Sequence, residues 1–284
     1  MTLSLGRLRE LATVMGNPVR RRAALRKRAL AVLDRLQDGV ESASVFGGGR
    51  DLAGLRRYQR LNFGCGQDKR PGFVNVDLDP ACEPDVLIRR QDLAQFPTSF
   101  YDEIVAKDVL EHIRRDESLS VLLRFNDWLS NGGVLHLSTT SILGVADRIR
   151  KYASFEHDLG MTICLFGSQA HAGDYHYTGF TERTLAALLV AAGFEPGPFS
   201  LADEWMFVVD ARKTWSWSAE VSDGGAHAEF VKSLYRRALG RAPRRDELEG
   251  FSSELTAGRQ TRKEVAHQVY GSHERLLYCA QTRS

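Results

Sequence analysis

Leu61-Asn62-Phe63-Gly64-Cys65-Gly66, followed by Gly72-Phe73-Val74-Asn75-Val76-Asp77-Leu78-Asp79-Pro80, is the stretch whose reading decides the fold. It reads as a strand at 59–63, a glycine turn, a short connection, and a second strand at 73–78 that ends in acid. In a parallel α/β sheet this is where a nucleotide-like ligand is held. The glycines let the backbone approach the ligand, and a carboxylate at the next strand's tip accepts from both ribose hydroxyls. A dinucleotide fingerprint needs a third glycine and a more distant acid. The run here is Gly64-Cys65-Gly66-Gln67-Asp68-Lys69, and Asp77 follows too soon, so a nicotinamide or flavin site is disfavoured. The connection is also shorter than the roughly dozen residues of a parallel crossover, so any helix within it is a turn at most.

Outward from that stretch, strands and helices alternate. Val86-Leu87-Ile88 precedes the polar Arg89-Arg90-Gln91-Asp92-Leu93, and Tyr101–Lys107 is a half-buried strand leading into Asp108-Val109-Leu110-Glu111-His112-Ile113. A helix is predicted at 116–130, closed by Asn131-Gly132-Gly133, then a strand at 134–139 in which His136 alternates as a structural residue. Helices are predicted at 142–153 and 182–192, the latter with Thr181 as N-cap and Gly193 after its end. Trp205–Ala211 is a late strand. This alternation gives a mainly parallel sheet with its ligand at the carboxyl ends of the strands.

Leu61–Gly66, Gly72–Asp77 and Asp108–Ile113, in that order, resemble a class I S-adenosylmethionine (SAM)-dependent methyltransferase over roughly residues 55–210. The resemblance implies an α/β fold with a Rossmann-like, seven-stranded, mainly parallel sheet, and SAM as cofactor. It implies that Asn62, Phe63, Gly64, Cys65 and Gly66 form the cofactor turn and that Asp77 and Leu78 hold the ribose. Asp92 would accept from the adenine amine and Leu93 cover the ring; otherwise Asp92 caps a turn. Asp108, Val109 and His112 would shape the methionine end. The competing reading is a doubly wound domain whose site has decayed.

Methyl transfer from a sulfonium is an in-line displacement, and positioning supplies most of what a protein contributes. A hydroxyl acceptor also needs a base near neutral pKa, which makes histidine the first candidate. Phe166–Thr181 carries His171, Asp174, Tyr175, His176 and Tyr177 in a glycine-bearing insertion near the sheet's carboxyl edge. The stretch is similar to one in bacterial methyltransferases of surface-polysaccharide and sugar-modifying clusters. His176 is the expected general base, oriented by His171 or Asp174, with His112 the lesser candidate. No metal is expected; the alternative is a divalent ion on His171, Asp174 and His176.

The flanks differ in character. Residues 1–50 read as a basic helical extension and linker: Leu8, Leu11, Met15, Leu25, Val32 and Leu36 recur at helical spacing around Arg20-Arg21-Arg22 and Arg26-Lys27-Arg28. That basic face is either solvated or touches an anionic membrane or polyanion. Residues 51–212 are the methyltransferase domain and 213–225 a linker. Residues 226–284 form a helical accessory or docking domain, with helices near 245–257, 261–270 and 272–280. It is similar to a small domain of unknown function appended to bacterial surface and glycan-modifying proteins.

Net charge is +2 over 284 residues, and no run approaches a membrane span or signal peptide. Cys65, Cys82, Cys164 and Cys279 lack metal-binding spacing. These features point to a reduced cytoplasmic protein; the basic N-terminal helix would allow peripheral contact with an anionic membrane face or a biosynthetic complex. The expected activity is O-methylation of a sugar, glycan or other small-molecule acceptor. The alternatives are nucleic-acid or protein methylation, which the chain's motifs disfavour, and a SAM-binding scaffold without turnover.

Overall fold

The computed structural model describes residues 52–170, 173–222 and 224–282. The N-terminal extension and His171 lie outside these. Arg50–Gln169 and Asp174–Ser284 fall in one compact unit. Among the described residues no helix is long and apolar enough to cross a membrane.

The strands are β1 (Arg60–Phe63), β2 (Val74–Asp77), β3 (Val86–Leu87), β4 (Tyr101–Lys107), β5 (Leu129–Thr140), β6 (Phe194–Pro196), β7 (Ser200–Ala202) and β8 (Met206–Lys213). They form one sheet in the order β3-β2-β1-β4-β5-β8-β6, with β7 also on β8. Strands β1 to β5 run parallel, and β8 is antiparallel to β5. This is the Rossmann-like α/β architecture expected. The sheet has eight strands rather than seven because Gly197-Pro198-Phe199 splits the edge into β6 and β7, both paired with β8.

From β1 the chain builds outward through β2 to β3, then returns to the other side of β1 as β4 and β5. The carboxyl ends of β1 and β4 therefore flank the point where strand order reverses, the usual ligand crevice of such sheets. Between β1 and β2 there is no helix at all. A buried polar network replaces it. The Asn62 amide donates to Asp68 O (2.7 Å) and Asn75 Oδ1 (2.9 Å). Arg70 N–H donates to Asn75 Oδ1 (2.8 Å), and Asn75 donates through its amide and backbone to Asp85 (2.7 and 2.9 Å).

Helices α1 (Ser118–Trp128) and α4 (Glu182–Ala191) pack on each other, α1 also on β5 and α4 on the edge strand β6. Thr181 caps α4 by accepting from Thr184 N–H, as expected. Phe63, Phe96, Phe125 and Trp128 form an aromatic core beneath β1; Phe96 and Trp128 stack at 4.1 Å. Asn131-Gly132-Gly133 does not close α1. The helix stops at Trp128, and these residues lie inside β5, where Gly132 takes a positive φ of 76°. The physical reason is that the strand starts at buried Leu129, paired with Tyr101, before the glycines are reached. His136 is structural: its Nδ1 is 2.7 Å from Asp210 on β8, and its Nε2 is 3.4 Å from Glu103 on β4.

Two helices follow β5. α2 (Ile142–Lys151) was expected; α3 (Phe155–Phe166), capped by Ser154, was not. The remaining helices are α5 (His227–Leu239), α6 (Arg245–Thr256), α7 (Arg262–Tyr270) and α8 (His273–Thr282), close to their predicted spans. They pack against the sheet's own helices, α8 on α4 and α7 on α1. Residues 213–225 accordingly are no free spacer. Lys213 ends β8 and donates to Asn126 O and Leu129 O, each at 2.6 Å. Trp217 is buried, and its indole N–H reaches Leu123 O at 2.8 Å. The Arg262 guanidinium holds the carbonyls of Ser222, Gly224 and Gly225. Burying an indole in this way contributes on the order of 2–3 kcal/mol, which ties the segment to the core.

Candidate active site

The site begins at the turn after β1. Gly64 and Gly66 take φ of 65° and 48°, conformations that L side chains rarely adopt. A Cβ on Gly64 would sit 2.7 Å from Val109 Cγ2, so the turn after β1 and the turn after β4 are in contact only because Gly64 is bare. A Cβ on Gly66 would meet nothing within 4 Å, so the space above that residue is open.

Asp77 at the tip of β2 is fixed from two sides. Its Oδ2 accepts from Gly66 N–H (2.8 Å) and its Oδ1 from Asp79 N–H (2.9 Å). A carboxylate oxygen accepts more than one hydrogen bond, so this pinned group is oriented, not exhausted. Leu78 beside it is 56% exposed, an apolar side chain presented at the mouth of the crevice. These are the contacts a ribose and an adjoining ring need: a charged acceptor for vicinal hydroxyls, bare peptide, and an apolar ledge.

The other expected cofactor residues divide by what they touch. Phe63 faces the aromatic core, so it offers the site only its backbone. Cys65 is buried; its N–H pairs with Val76 O, and burial pushes its thiol up to about 11, which removes it as a nucleophile. Val109 forms the wall against Gly64. Asp108, at φ 52°, accepts from the Ser138 hydroxyl at 3.1 Å. Asp92 takes the turn-capping role: it is buried, and its Oδ2 accepts from Arg89 N–H at 2.9 Å at the start of the 3₁₀ segment Arg90–Gln95. Leu93 packs half-buried on the core. The physical reason is local, since an acid at the third position of a helical turn finds its donor within its own segment.

Residues 174–180 fold against the turn that follows β4. Tyr177 N–H and Thr178 N–H both donate to Glu111 O, at 2.7 and 3.2 Å, and the Thr178 hydroxyl donates to Ile113 O at 3.0 Å. This docking brings His176 against His112, with ring centroids 4.7 Å apart and planes at 86°. His112 Nδ1 lies 3.2 Å from Tyr175 O, and His176 Nδ1 lies 3.0 Å from Cys164 O. Asp174 accepts from Ser168 N–H at 3.1 Å and from the Ser168 hydroxyl. Of the expected catalytic group, His112, Asp174 and His176 therefore meet; His171 lies outside the described residues. Burial, reinforced by the neighbouring His176, holds the His112 imidazole below its ordinary value, which favours its neutral form.

The sequence places Glu111 beside His112 but assigns it no role. It is 2% exposed, and its carboxyl accepts from the Thr139 hydroxyl at 2.9 Å. Burial, with a smaller push from Asp108, raises it from 4.5 to about 7. The signal available was an acid inside the apolar turn Val109-Leu110-Glu111. A carboxyl whose folded pKa is raised favours the protonated form, so its contribution to stability is intact below pH 4.5 and lost as pH rises to about 7. Glu111→Gln keeps an acceptor for Thr139 and cannot ionise. Urea unfolding at pH 4.5 and pH 8 is therefore expected to show the wild type losing about 3 kcal/mol more than the variant. Equal losses would mean that Glu111 does not titrate in this range.

Comparison with known proteins adds the following. A family described as a domain of unknown function (DUF4214) matches residues 216–278. None of the curated proteins matches the chain. Among solved structures, the 1,6-didemethyltoxoflavin-N1-methyltransferase of Burkholderia thailandensis, with bound 1,6-didemethyltoxoflavin and S-adenosylhomocysteine, is 20% identical. The alignment covers 70% of this chain and 92% of that one, with a TM-score of 0.38. A SAM-dependent methyltransferase from Methanosarcina mazei is 19% identical over 54% of this chain and 91% of its own, with a TM-score of 0.39. The magnesium protoporphyrin IX methyltransferase of Synechocystis, with bound S-adenosylhomocysteine, is 15% identical over 74% and 95%, with a TM-score of 0.35. At these values the likenesses decide nothing about the activity of this chain.

Proposed function

We propose that this protein is a SAM-dependent methyltransferase acting on a hydroxyl of a sugar, glycan or other small-molecule acceptor. One observation carries the reading: Asp77, at the tip of β2, is pinned by Gly66 and Asp79 N–H groups beside a bare, positive-φ glycine turn at the strand-order reversal. No packing need explains a half-buried carboxylate held in that orientation under open space.

Bound SAM supplies an electrophilic methyl on a sulfonium, which departs as a neutral thioether. The chain's own residues do the rest. Asp77 would hold the ribose, with the Gly64–Gly66 turn and Leu78 as its neighbours. His176 takes the acceptor hydroxyl proton. Its Nδ1 faces the Cys164 carbonyl, which can only accept, so Nδ1 carries a hydrogen and Nε2 has the lone pair. Asp174 stands beside it to orient base or acceptor.

Calorimetric titration with S-adenosylhomocysteine tests the reading: one equivalent is expected to bind saturably. A radiolabelled-methyl screen over sugars, glycans and nucleotides then identifies the acceptor. No binding by folded protein would end the proposal. Tight binding with no turnover on any acceptor pool would favour a SAM-binding scaffold instead.

A further inference from the structure

We propose that His112, Asp174 and His176 form a binding site for one divalent cation of the zinc class. Their ligand atoms all lie within 4.8 Å of one another, although the residues come from the turn after β4 and from the loop that docks on it.

Proximity alone does not carry this. The orientation of the two imidazoles does. Each Nδ1 faces a backbone carbonyl, that of Tyr175 for His112 and that of Cys164 for His176. A carbonyl accepts and cannot donate, so each Nδ1 bears the hydrogen and each Nε2 presents a lone pair. Metal-ligating histidines are held in this manner, with the second ring nitrogen donating to a carbonyl or carboxylate that fixes tautomer and ring angle. Asp174 is positioned in turn by the Ser168 N–H and hydroxyl. The two rings stand almost perpendicular with centroids 4.7 Å apart, so they meet without stacking.

The donor set chooses the cation. Two imidazoles and one carboxylate suit zinc, cobalt or iron(II), whereas magnesium and calcium take oxygen ligands. Three protein ligands leave a coordination position open, as sites that act on a bound molecule do. Zinc–nitrogen bonds of about 2.0–2.1 Å place tetrahedral ligand atoms roughly 3.4 Å apart. Against the 4.8 Å bound on their present separation, the widest pair would close by at most about 1.4 Å on loading.

The inference rests on the proposed reaction only in sharing His176. A cation on Nε2 leaves that ring no lone pair for a proton, so the loaded site and the His176 base are alternative states of one residue.

The test is titration of full-length, chelator-stripped protein with Zn²⁺ by calorimetry and with Co²⁺ by visible absorption, alongside S-adenosylhomocysteine titration of the same sample. One saturable equivalent of Zn²⁺ is expected, with Co²⁺ developing absorption bands of a low-coordinate site and Mg²⁺ giving no saturable heat. Affinity is expected to fall by at least about 100-fold in His112→Ala and in Asp174→Asn, the upper end of what loss of a mere outer partner costs. A wild-type thermal unfolding transition of the metal-free variants shows them folded. No saturable Zn²⁺ binding by the wild type overturns the inference. So does full binding by the double variant His112→Ala/His176→Ala, or equal competition by Mg²⁺. Loss of the cation result with cosubstrate binding intact removes this inference alone; the converse removes the methyltransferase reading alone.

Discussion

Asp77→Ala is expected to reduce S-adenosylhomocysteine affinity by about two to four orders of magnitude while leaving the protein folded. The carboxylate would make two charge-assisted hydrogen bonds to the ribose, each worth about 1.5–3 kcal/mol. Every 1.4 kcal/mol is tenfold in affinity. The substitution acts twice, because Asp77 also receives the Gly66 and Asp79 N–H groups. Its removal frees the turn that would lie under the cosubstrate as well as the group that grips it. Asp77→Asn separates the two effects: an amide still offers one acceptor oxygen to the turn but brings no charge to the ribose. Its affinity is expected to fall between wild type and Asp77→Ala. Calorimetry measures the affinities and thermal unfolding checks the fold. Binding by Asp77→Ala within threefold of wild type would contradict the whole account of the crevice.

His176→Ala is expected to have the opposite signature. S-adenosylhomocysteine should bind as in the wild type, because the imidazole contacts His112 and the Cys164 carbonyl and takes no part in the hydrogen bonds that hold Asp77. Turnover should fall by a factor on the order of 100 or more, the usual loss when a positioned base is removed. His112→Ala isolates the partner ring. It leaves His176 Nδ1 on the Cys164 carbonyl and so spares the tautomer of the base; a smaller fall in kcat is expected. Both are read as kcat on the acceptor found by the methyl screen. A His176→Ala kcat within fivefold of wild type would remove His176 as the base. Chelator treatment distinguishes the two uses of the ring, since base-catalysed transfer survives it and cation-dependent transfer does not.

Much of this was legible in the chain because it is local. Val74-Asn75-Val76-Asp77 can only be a short buried strand with an acid at its tip, and the spacing to Gly66 excludes a crossover helix. Asp92 shows a local rule at work: its Oδ2 accepts from Arg89 N–H within its own 3₁₀ segment, a contact readable from the sequence spacing. Helix α3 lies outside the predicted spans although Phe155, Leu159, Ile163 and Phe166 recur at helical spacing; the structure leaves that stripe exposed.

The sequence by itself determined the α/β sheet, the glycine turn with Asp77 at its side, and the spans of the helices at 227–282, because strand alternation, turn chemistry and helical periodicity act over a few residues. Only the tertiary structure decided that His112 lies against His176, with its ring nitrogen on a carbonyl 63 residues further along. It also decided that Trp217 seals the supposed linker to α1. Such pairings are set by how the docking loop and the helical layer close on the sheet, and nothing in the spacing of the residues encodes that closure.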